Sequence, residues 1–364
     1  MSTQKKKLLF IIWSFSFGGG AESVLRNIVN HLDSNKYDID ILEYYHSNVK
    51  VEKLNASIQL LDPILKYNDS KVKQILTNSA VFFFPHLFRR NYKKKYDVEI
   101  AFNYLIPIFL VDKKTKFLCW IHGSIYDLKK KRLLRFKQGV KLKKAEKVIA
   151  ISEETYDSIK CFYPFLTNVK LLENGYNLEY IKLKAEESID CEERNYILYC
   201  NRLDENKQPL LLIELAKELK KRKVERKIIV LGSGNLEKKL CDMIYTEGLD
   251  ENIRILGYQK NPYPYIKRAF LSIILSKTEG FSTFGMESLS LGIPIITTEV
   301  GGAKKMIDNE NNGYIIKNIK EAADRIQMLT YDKEKYEVMK KQCIQFTKHY
   351  DIKYKVKEIE DLIK

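Results

Sequence analysis

The chain has 364 residues, of which 45% are hydrophobic and 30% charged, and carries a formal net charge of +16. That length exceeds one ordinary core and suits two domains of roughly 150–180 residues each. Cys119, Cys161, Cys191, Cys200, Cys241 and Cys343 are scattered without a C-x-x-C pair, which excludes a disulfide framework or a zinc ribbon and fits reduced thiols.

Read in chain order, short β-branched runs alternate with helical patterns. The apolar run 8–13 is far shorter than the roughly 20 residues of a membrane span and has no cleavage site after it, so the expectation is a cytoplasmic protein. Residues 21–32 place Val24, Leu25, Ile28, Val29 and Leu32 at helical spacing, after the glycine loop Gly18-Gly19-Gly20. Further strands are expected at 38–44, 98–102, 117–121 and 148–151, and in the second half at 196–200, 227–231, 253–256, 271–275 and 293–297. Helical patterns at 210–220 and 236–245 lie between the latter. Ile352, Val356, Ile359 and Leu362 predict a last helix.

The alternation predicts an α/β protein with two parallel sheets, each covered by helices, and ligands at the carboxyl ends of the strands. The expected domains are 1–180 and 190–345. A helix in 346–364 is expected to pack back on the first domain, and the polar stretch 185–194 reads as the linker.

Several segments carry chemistry. Glu279 and Glu287 stand eight residues apart, the first in a loop after a strand and the second early in a helix, and carboxylates suit sugar hydroxyls because each accepts two hydrogen bonds. Between them, the amides of Phe281, Ser282, Thr283 and Phe284 stand near a helix N-terminus, while Gly280 and Gly285 would let the backbone pass close to a ligand. Arg202 and Lys207 sit where a strand hands over to a helix, from which two cations can clamp a diphosphate. Gly232-Ser-Gly234 permits close backbone approach after the next strand. His122 ends an apolar strand, where it could donate to a sugar hydroxyl. Each of these has a bland alternative as a solvated loop charge or a packed structural residue.

In sequence order these pieces resemble the retaining glycosyltransferases of family 4, which have the GT-B fold: two Rossmann-like domains facing each other across a cleft. The matching positions are Gly18–Glu22, His122-Gly123, Ser152-Glu153, Asn174-Gly175, Arg202 with Lys207, Gly232-Ser-Gly234 and Glu279 with Glu287. Asn201 departs from the family, which usually has glycine there. The resemblance implies that Arg202 and Lys207 hold the donor diphosphate and Glu287 the ribose. It further implies that Glu279 and the amides of 281–284 hold the transferred sugar, that His122 touches it, and that Gly18, Gly19 and Gly20 border phosphate and acceptor. No cofactor is implied and no metal, the two cations supplying the charge compensation. The expected partners are a nucleotide sugar, most simply a UDP-sugar, and a glycan or lipid-linked oligosaccharide acceptor.

Two other classes compete. A GT-B nucleotide-sugar epimerase would need no acceptor, and a nucleic-acid-binding protein would fit the basic composition, although no nucleic-acid motif is present. The charge is concentrated: 81–147 holds eighteen Lys/Arg against five acids. The apolar run Val81–Phe88 leads into Arg89, Arg90, Lys93, Lys94 and Lys95, and a second basic run spans 129–137. Together they predict peripheral docking of the first domain on the anionic inner face of the cell membrane.

Overall fold

The computed structural model describes residues 4–16, 20–47, 54–89, 94–103, 105–112, 114–123, 125–279, 281–308 and 310–364. Two compact units result, one made of 1–175 with 352–364 and the other of 176–351.

The first unit runs β1 (Lys6–Ile12), α1 (Gly20–His31), β2 (Tyr37–Glu43), β3 (Tyr45–His46), β4 (Ile58–Leu60), β5 (Leu65–Lys66), α2 (Lys71–Phe83) and β6 (Val98–Ala101). It continues through α3 (Pro107–Leu110), β7 (Lys116–Ile121), α4 (Arg132–Leu142), β8 (Lys147–Ala150), α5 (Glu153–Phe162) and β9 (Val169–Leu171). Seven of these strands form a sheet in the order β4-β2-β1-β6-β7-β8-β9, while β3 and β5 pair separately. The pairing is parallel throughout, with Leu8 opposite both Ile39 and Val98. Alternate residues of β1 therefore enter different cores: Leu8, Phe10 and Ile12 pack with α1, and Leu9 and Ile11 with Phe109 and Leu142 on the other face.

The second unit comprises α6 (Leu178–Lys184), β10 (Tyr196–Cys200), α7 (Leu211–Lys221), β11 (Ile228–Leu231), α8 (Glu237–Thr246), β12 (Ile253–Gly257), α9 (Tyr263–Arg268) and β13 (Ala269–Ile274). Then follow α10 (Thr283–Ser290), β14 (Ile295–Thr298), α11 (Ala303–Met306), β15 (Gly313–Ile316), α12 (Ile319–Tyr331) and α13 (Lys333–Thr347). Its parallel sheet has the order β12-β11-β10-β13-β14-β15. Helix α7 is amphipathic in the way its sequence implies, with Leu212, Ile213, Leu215, Ala216 and Leu219 buried. Each such leucine or isoleucine contributes roughly 1.5–3 kcal/mol.

The last helix, α14 (Ile352–Ile363), belongs to the first unit, where Ile352, Ile359, Leu362 and Ile363 join the core beneath α1. Gly175 makes this return possible. A Cβ there would lie 2.8 Å from Ile352 Cδ1 and 2.9 Å from Lys355 Cβ. The stretch 185–194, which reads as a linker, falls inside the second unit: Cys191 is buried and its carbonyl accepts from Arg268 at 2.5 Å. Polar composition misleads there because Glu193 is held by Arg254 at 2.6 Å.

Candidate active site

Both sheets have a point where the chain reverses its direction of strand addition, between β1 and β6 in the first and between β10 and β13 in the second. At such a point the loops leaving two neighbouring strands diverge and open a crevice at the carboxyl ends. In the second unit those two loops carry Arg202 with Lys207 and Glu279.

The loops are fastened to each other by Asn206. Its side chain donates to the Thr278 carbonyl at 3.1 Å and accepts from the Thr278 amide and hydroxyl at 3.2 and 2.9 Å. Within that frame the Lys207 ammonium and the Glu279 carboxylate form an ion pair, and Ser276 Oγ donates to the same carboxylate oxygen at 3.1 Å. Both side chains of the pair are largely shielded, at 16% and 18% exposure. Arg202 differs: it stands 60% exposed and donates to Asp204 at 2.5 Å.

Asp204 is the residue that shapes the loop. Its second oxygen accepts from the Asn206 and Lys207 amides, each at 3.0 Å. Burial pushes its carboxyl pKa up, but Arg202 and the two amides outweigh burial and hold it below the usual aspartate range. Sequence reading passed over Asp204 and Asn206. The signal was present, since an Asp followed by polar residues before a helix often caps its own loop.

Glycine explains the next loop. Gly232 has φ +128°, and a Cβ on it would sit 2.0 Å from the Asn201 carbonyl. The Asn201 backbone thus passes directly over Gly232, and the side-chain Nδ2 of Asn201 is buried without a partner. Replacing Gly232 with alanine is expected to destabilise the protein by roughly 1–3 kcal/mol and to displace the 201–207 loop. Chemical denaturation checks the first effect and donor affinity the second.

Helix α10 brings in the remaining positions. Ser282 caps it, its Oγ accepting from the Gly285 amide at 3.2 Å, and the first-turn amides of Thr283 and Phe284 have no acceptor within the helix. The rings of Phe281 and Phe284 are buried, Phe281 stacking on Tyr350 at 5.6 Å, so these residues offer backbone and not side chain. Gly285 does not serve ligand approach as expected. A Cβ there would meet Met306 Sδ at 2.5 Å and Ile274 Cδ1 at 3.1 Å, so its role is to seat the helix on the sheet. Glu287 is buried and accepts from the Tyr263 hydroxyl at 3.0 Å. Burial, with the Glu287 charge added, pushes the Cys200 thiol at the end of β10 up to about 12. Gly280 lies outside the described residues.

In the first unit, Gly18 and Gly19 also lie outside the described residues, while Gly20 opens α1. The start of that loop is anchored by a buried carboxylate that sequence reading missed. Glu43, at the end of β2, accepts from the Phe15 and Ser16 amides at 3.0 Å each and pairs with His46. His122 follows β7 directly. Its ring lies 4.4 Å from the Phe102 ring and hydrogen-bonds the Phe102 backbone, leaving Nε2 buried without a partner. Burial pushes its pKa down to about 3 against that hydrogen bond, so the ring is neutral.

Within the basic cluster at Arg89–Lys95, Arg89 and Lys94 are held by acids of the first unit, while Lys95 is exposed. Arg89 turns inward to the buried carboxylate of Glu99, at 2.8 and 2.5 Å, and to the Leu110 carbonyl. Lys94 bridges Asp38 at 2.9 Å and Asp40 at 3.1 Å. Sequence reading passed over the D-x-D spacing of Asp38-Ile-Asp40, whose carboxylates are taken up by Lys94 and the Tyr96 hydroxyl. Arg90 and Lys93 lie outside the described residues. Among the described residues no helix is long and apolar enough to cross a membrane.

Residues 182–346 match the sequence profile of the family described as glycosyl transferases group 1. A Campylobacter jejuni protein named N-acetylgalactosamine-N,N'-diacetylbacillosaminyl-diphospho-undecaprenol 4-alpha-N-acetylgalactosaminyltransferase is 26% identical over 320 residues, covering 84% of this chain and 85% of that one. An uncharacterized glycosyltransferase of Methanocaldococcus jannaschii is 26% identical over 277 residues, 66% of this chain and 68% of its own. Among solved structures, Anabaena HepE in complex with UDP-glucose superposes with a TM-score of 0.73 at 16% identity, covering 98% of both chains. Sucrose-phosphate synthase from Thermosynechococcus elongatus does so with a TM-score of 0.79 at 14% identity, over 98% of both. The fold is GT-B, with two Rossmann-like domains, and the profile match and named relatives together support a glycosyltransferase of that fold.

Proposed function

We propose that the protein is a retaining, metal-independent glycosyltransferase of the family 4 type, moving a hexosyl or N-acetylhexosaminyl group from a UDP-sugar to a glycan or lipid-linked oligosaccharide. The acceptor would be met at the cytoplasmic face of the membrane. The observation that carries this reading is the shielded Lys207–Glu279 pair on two loops that flank a strand-order reversal and are fastened together by Asn206. The named relatives and the UDP-sugar complex of a protein with the same fold agree with it.

In this reading Lys207 and Arg202 hold the diphosphate and offset the charge that grows on it as the bond from the anomeric carbon to the phosphate oxygen breaks. The incoming hydroxyl oxygen bonds the anomeric carbon on the same face, and its proton passes to the departing phosphate oxygen. Glu279, released from Lys207, accepts from hydroxyls of the transferred sugar, beside the free amides of α10. Glu287 accepts from the ribose while Tyr263 fixes its orientation. Gly20 and the glycines before it border the acceptor, with Gly232 allowing the backbone close to the nucleotide. His122 touches the sugar as an acceptor, because its one ring proton is committed to the Phe102 backbone.

Incubation with a panel of nucleotide sugars after exhaustive chelation tests the class. Slow release of UDP is the expected result, with the anomeric configuration retained in the product once a glycan acceptor is added. A strict need for manganese or magnesium, or conversion of the free donor to its epimer, would show a different chemistry.

A further inference from the structure

A surface helix ordinarily buries a stripe about 100° wide along its length. Helix α2 does not. Of its thirteen residues only Val81 is buried, while Val72, Ile75 and Leu76 stand 66%, 64% and 63% exposed and Phe83 is 57% exposed. The helix is nonetheless well made: Ser70 caps it, accepting from the Lys73 amide at 3.2 Å. Its inner edge is fixed by Phe82, whose ring meets that of Phe109 on α3 at 5.3 Å.

Helix α4 presents a second exposed apolar row at helical spacing, Leu133, Phe136 and Val140, with Phe136 at 71% exposure. The C-terminal end of α2 meets α4. The Lys137 ammonium of α4 lies over the Phe82 and Phe83 rings of α2, 4.0 and 4.3 Å from their centroids. Exposed apolar side chains on two adjoining helices are more than scattered single hydrophobics, and such a patch marks an interaction surface.

The two segments that form the patch carry charge of one sign. Residues 71–89 contain no Asp or Glu, and 128–145 hold nine Lys/Arg with none. Lys129, Lys131 and Arg132 at the start of α4 are exposed. This differs from Arg89 and Lys94, whose charges are spent inside the first unit.

We propose that the face formed by α2 and α4, and not the Arg89–Lys95 run, docks on an anionic lipid surface. The apolar rows enter the boundary between headgroups and acyl chains, and the basic start of α4 meets lipid phosphate. A nucleic acid would match the charge but not the aliphatic rows, and a second copy of this chain would place basic face against basic face. The proposal rests on the reading that the acceptor is met at a membrane, but its test reads binding alone.

The experiment is co-sedimentation of the full chain with phosphatidylcholine vesicles, with and without 30 mol% phosphatidylglycerol (about what is needed for a strongly anionic surface). Wild type is expected to pellet with anionic vesicles at least fivefold more than with neutral ones, and less as salt rises. Two variants, Leu76→Ser with Phe136→Ser, and Lys129→Glu with Lys131→Glu and Arg132→Glu, are each expected to lose most of that pelleting while releasing UDP from the donor at the wild-type rate. Reversal of two exposed lysines of the second unit, Lys238→Glu with Lys239→Glu, is expected to change nothing. Equal pelleting with neutral vesicles, undiminished pelleting of both patch variants, or a concentration-dependent dimer abolished by Leu76→Ser with Phe136→Ser would overturn the proposal. Pelleting as expected from a protein that transfers no sugar would instead leave the surface standing and overturn the functional reading.

Discussion

Lys207→Ala is expected to lower kcat/KM for sugar transfer by about one to two orders of magnitude, with donor affinity falling in parallel. A hydrogen bond to a charged group is worth about 1.5–3 kcal/mol, and losing one partner of a shielded ion pair costs about 3–5 kcal/mol because the other charge is left uncompensated. Lys207 and Glu279 are each less than a fifth exposed, so the alanine variant strands Glu279 with only the Ser276 hydroxyl as partner. The loss therefore has two parts. One appears in the resting protein as a lower melting temperature, and the other in the reaction as missing counter-charge on the leaving diphosphate. Glu279→Gln keeps the size of the side chain and removes the stranded charge, so the double variant should regain stability without regaining activity. Arg202→Ala separates the two parts from the other direction. Its guanidinium is mostly solvated and donates to Asp204, so its loss should leave the melting temperature unchanged while weakening donor binding. Unaltered transfer by Lys207→Ala, or an equal loss of stability in both alanine variants, would sink the assignment.

The double role of Lys207 was not legible in the sequence. Spacing placed Arg202 and Lys207 on one loop and Glu279 on another, but the pair joins positions 72 residues apart, and only the sheet order brings them together. What periodicity could reach, it reached: β1, α1, β7, β10, α7 and β13 fall where β-branched runs and helical spacing place them. Shorter strands escaped. β9 is three residues long and β15 four, and β15 begins at Gly313, where a Cβ would lie 2.1 Å from the Ile295 carbonyl; a glycine at that position lowers strand propensity in the sequence while the fold requires it. Helix α2 was passed over although Val72, Ile75, Leu76 and Phe83 stand at helical spacing, and that spacing does not tell that most of this row is exposed. The same segment misled in detail, since Val81 is buried, Phe82 half-buried and Phe83 and Phe84 exposed, and a run of four apolar residues does not announce which way each points. The Asp38-Ile-Asp40 pair shows the opposite limit. Its spacing carries no information about Lys94, whose ammonium decides that these carboxylates are already satisfied.

The neutral state of His122 leads to the second large effect. His122→Asn is expected to lower kcat/KM by roughly 10-fold, the cost of one neutral hydrogen bond of about 1–1.5 kcal/mol made to the transferred sugar. Asparagine is the informative change because its amide nitrogen can replace the ring donor to the Phe102 backbone, while nothing replaces Nε2. The pH dependence carries a sharper signature. Burial holds the ring near pKa 3 in the folded protein, against about 6.5 when unfolded, so below pH 6.5 the unfolded chain binds a proton that the folded chain refuses. Stability contributed by this residue is therefore complete above pH 6.5 and declines as the pH falls toward 3. His122→Asn removes the titrating group, and the gap between the two denaturation curves should narrow or reverse on acidification. Over pH 5.5–8 the ring does not titrate, so neither kcat nor kcat/KM should show an inflection that the asparagine variant abolishes. Imidazole carbon resonances of His122 should likewise hold their neutral positions down to pH 5. A titration midpoint near 6.5 at this ring would show that Nε2 reaches solvent, and the acceptor role assigned to it would fall with the pH profile.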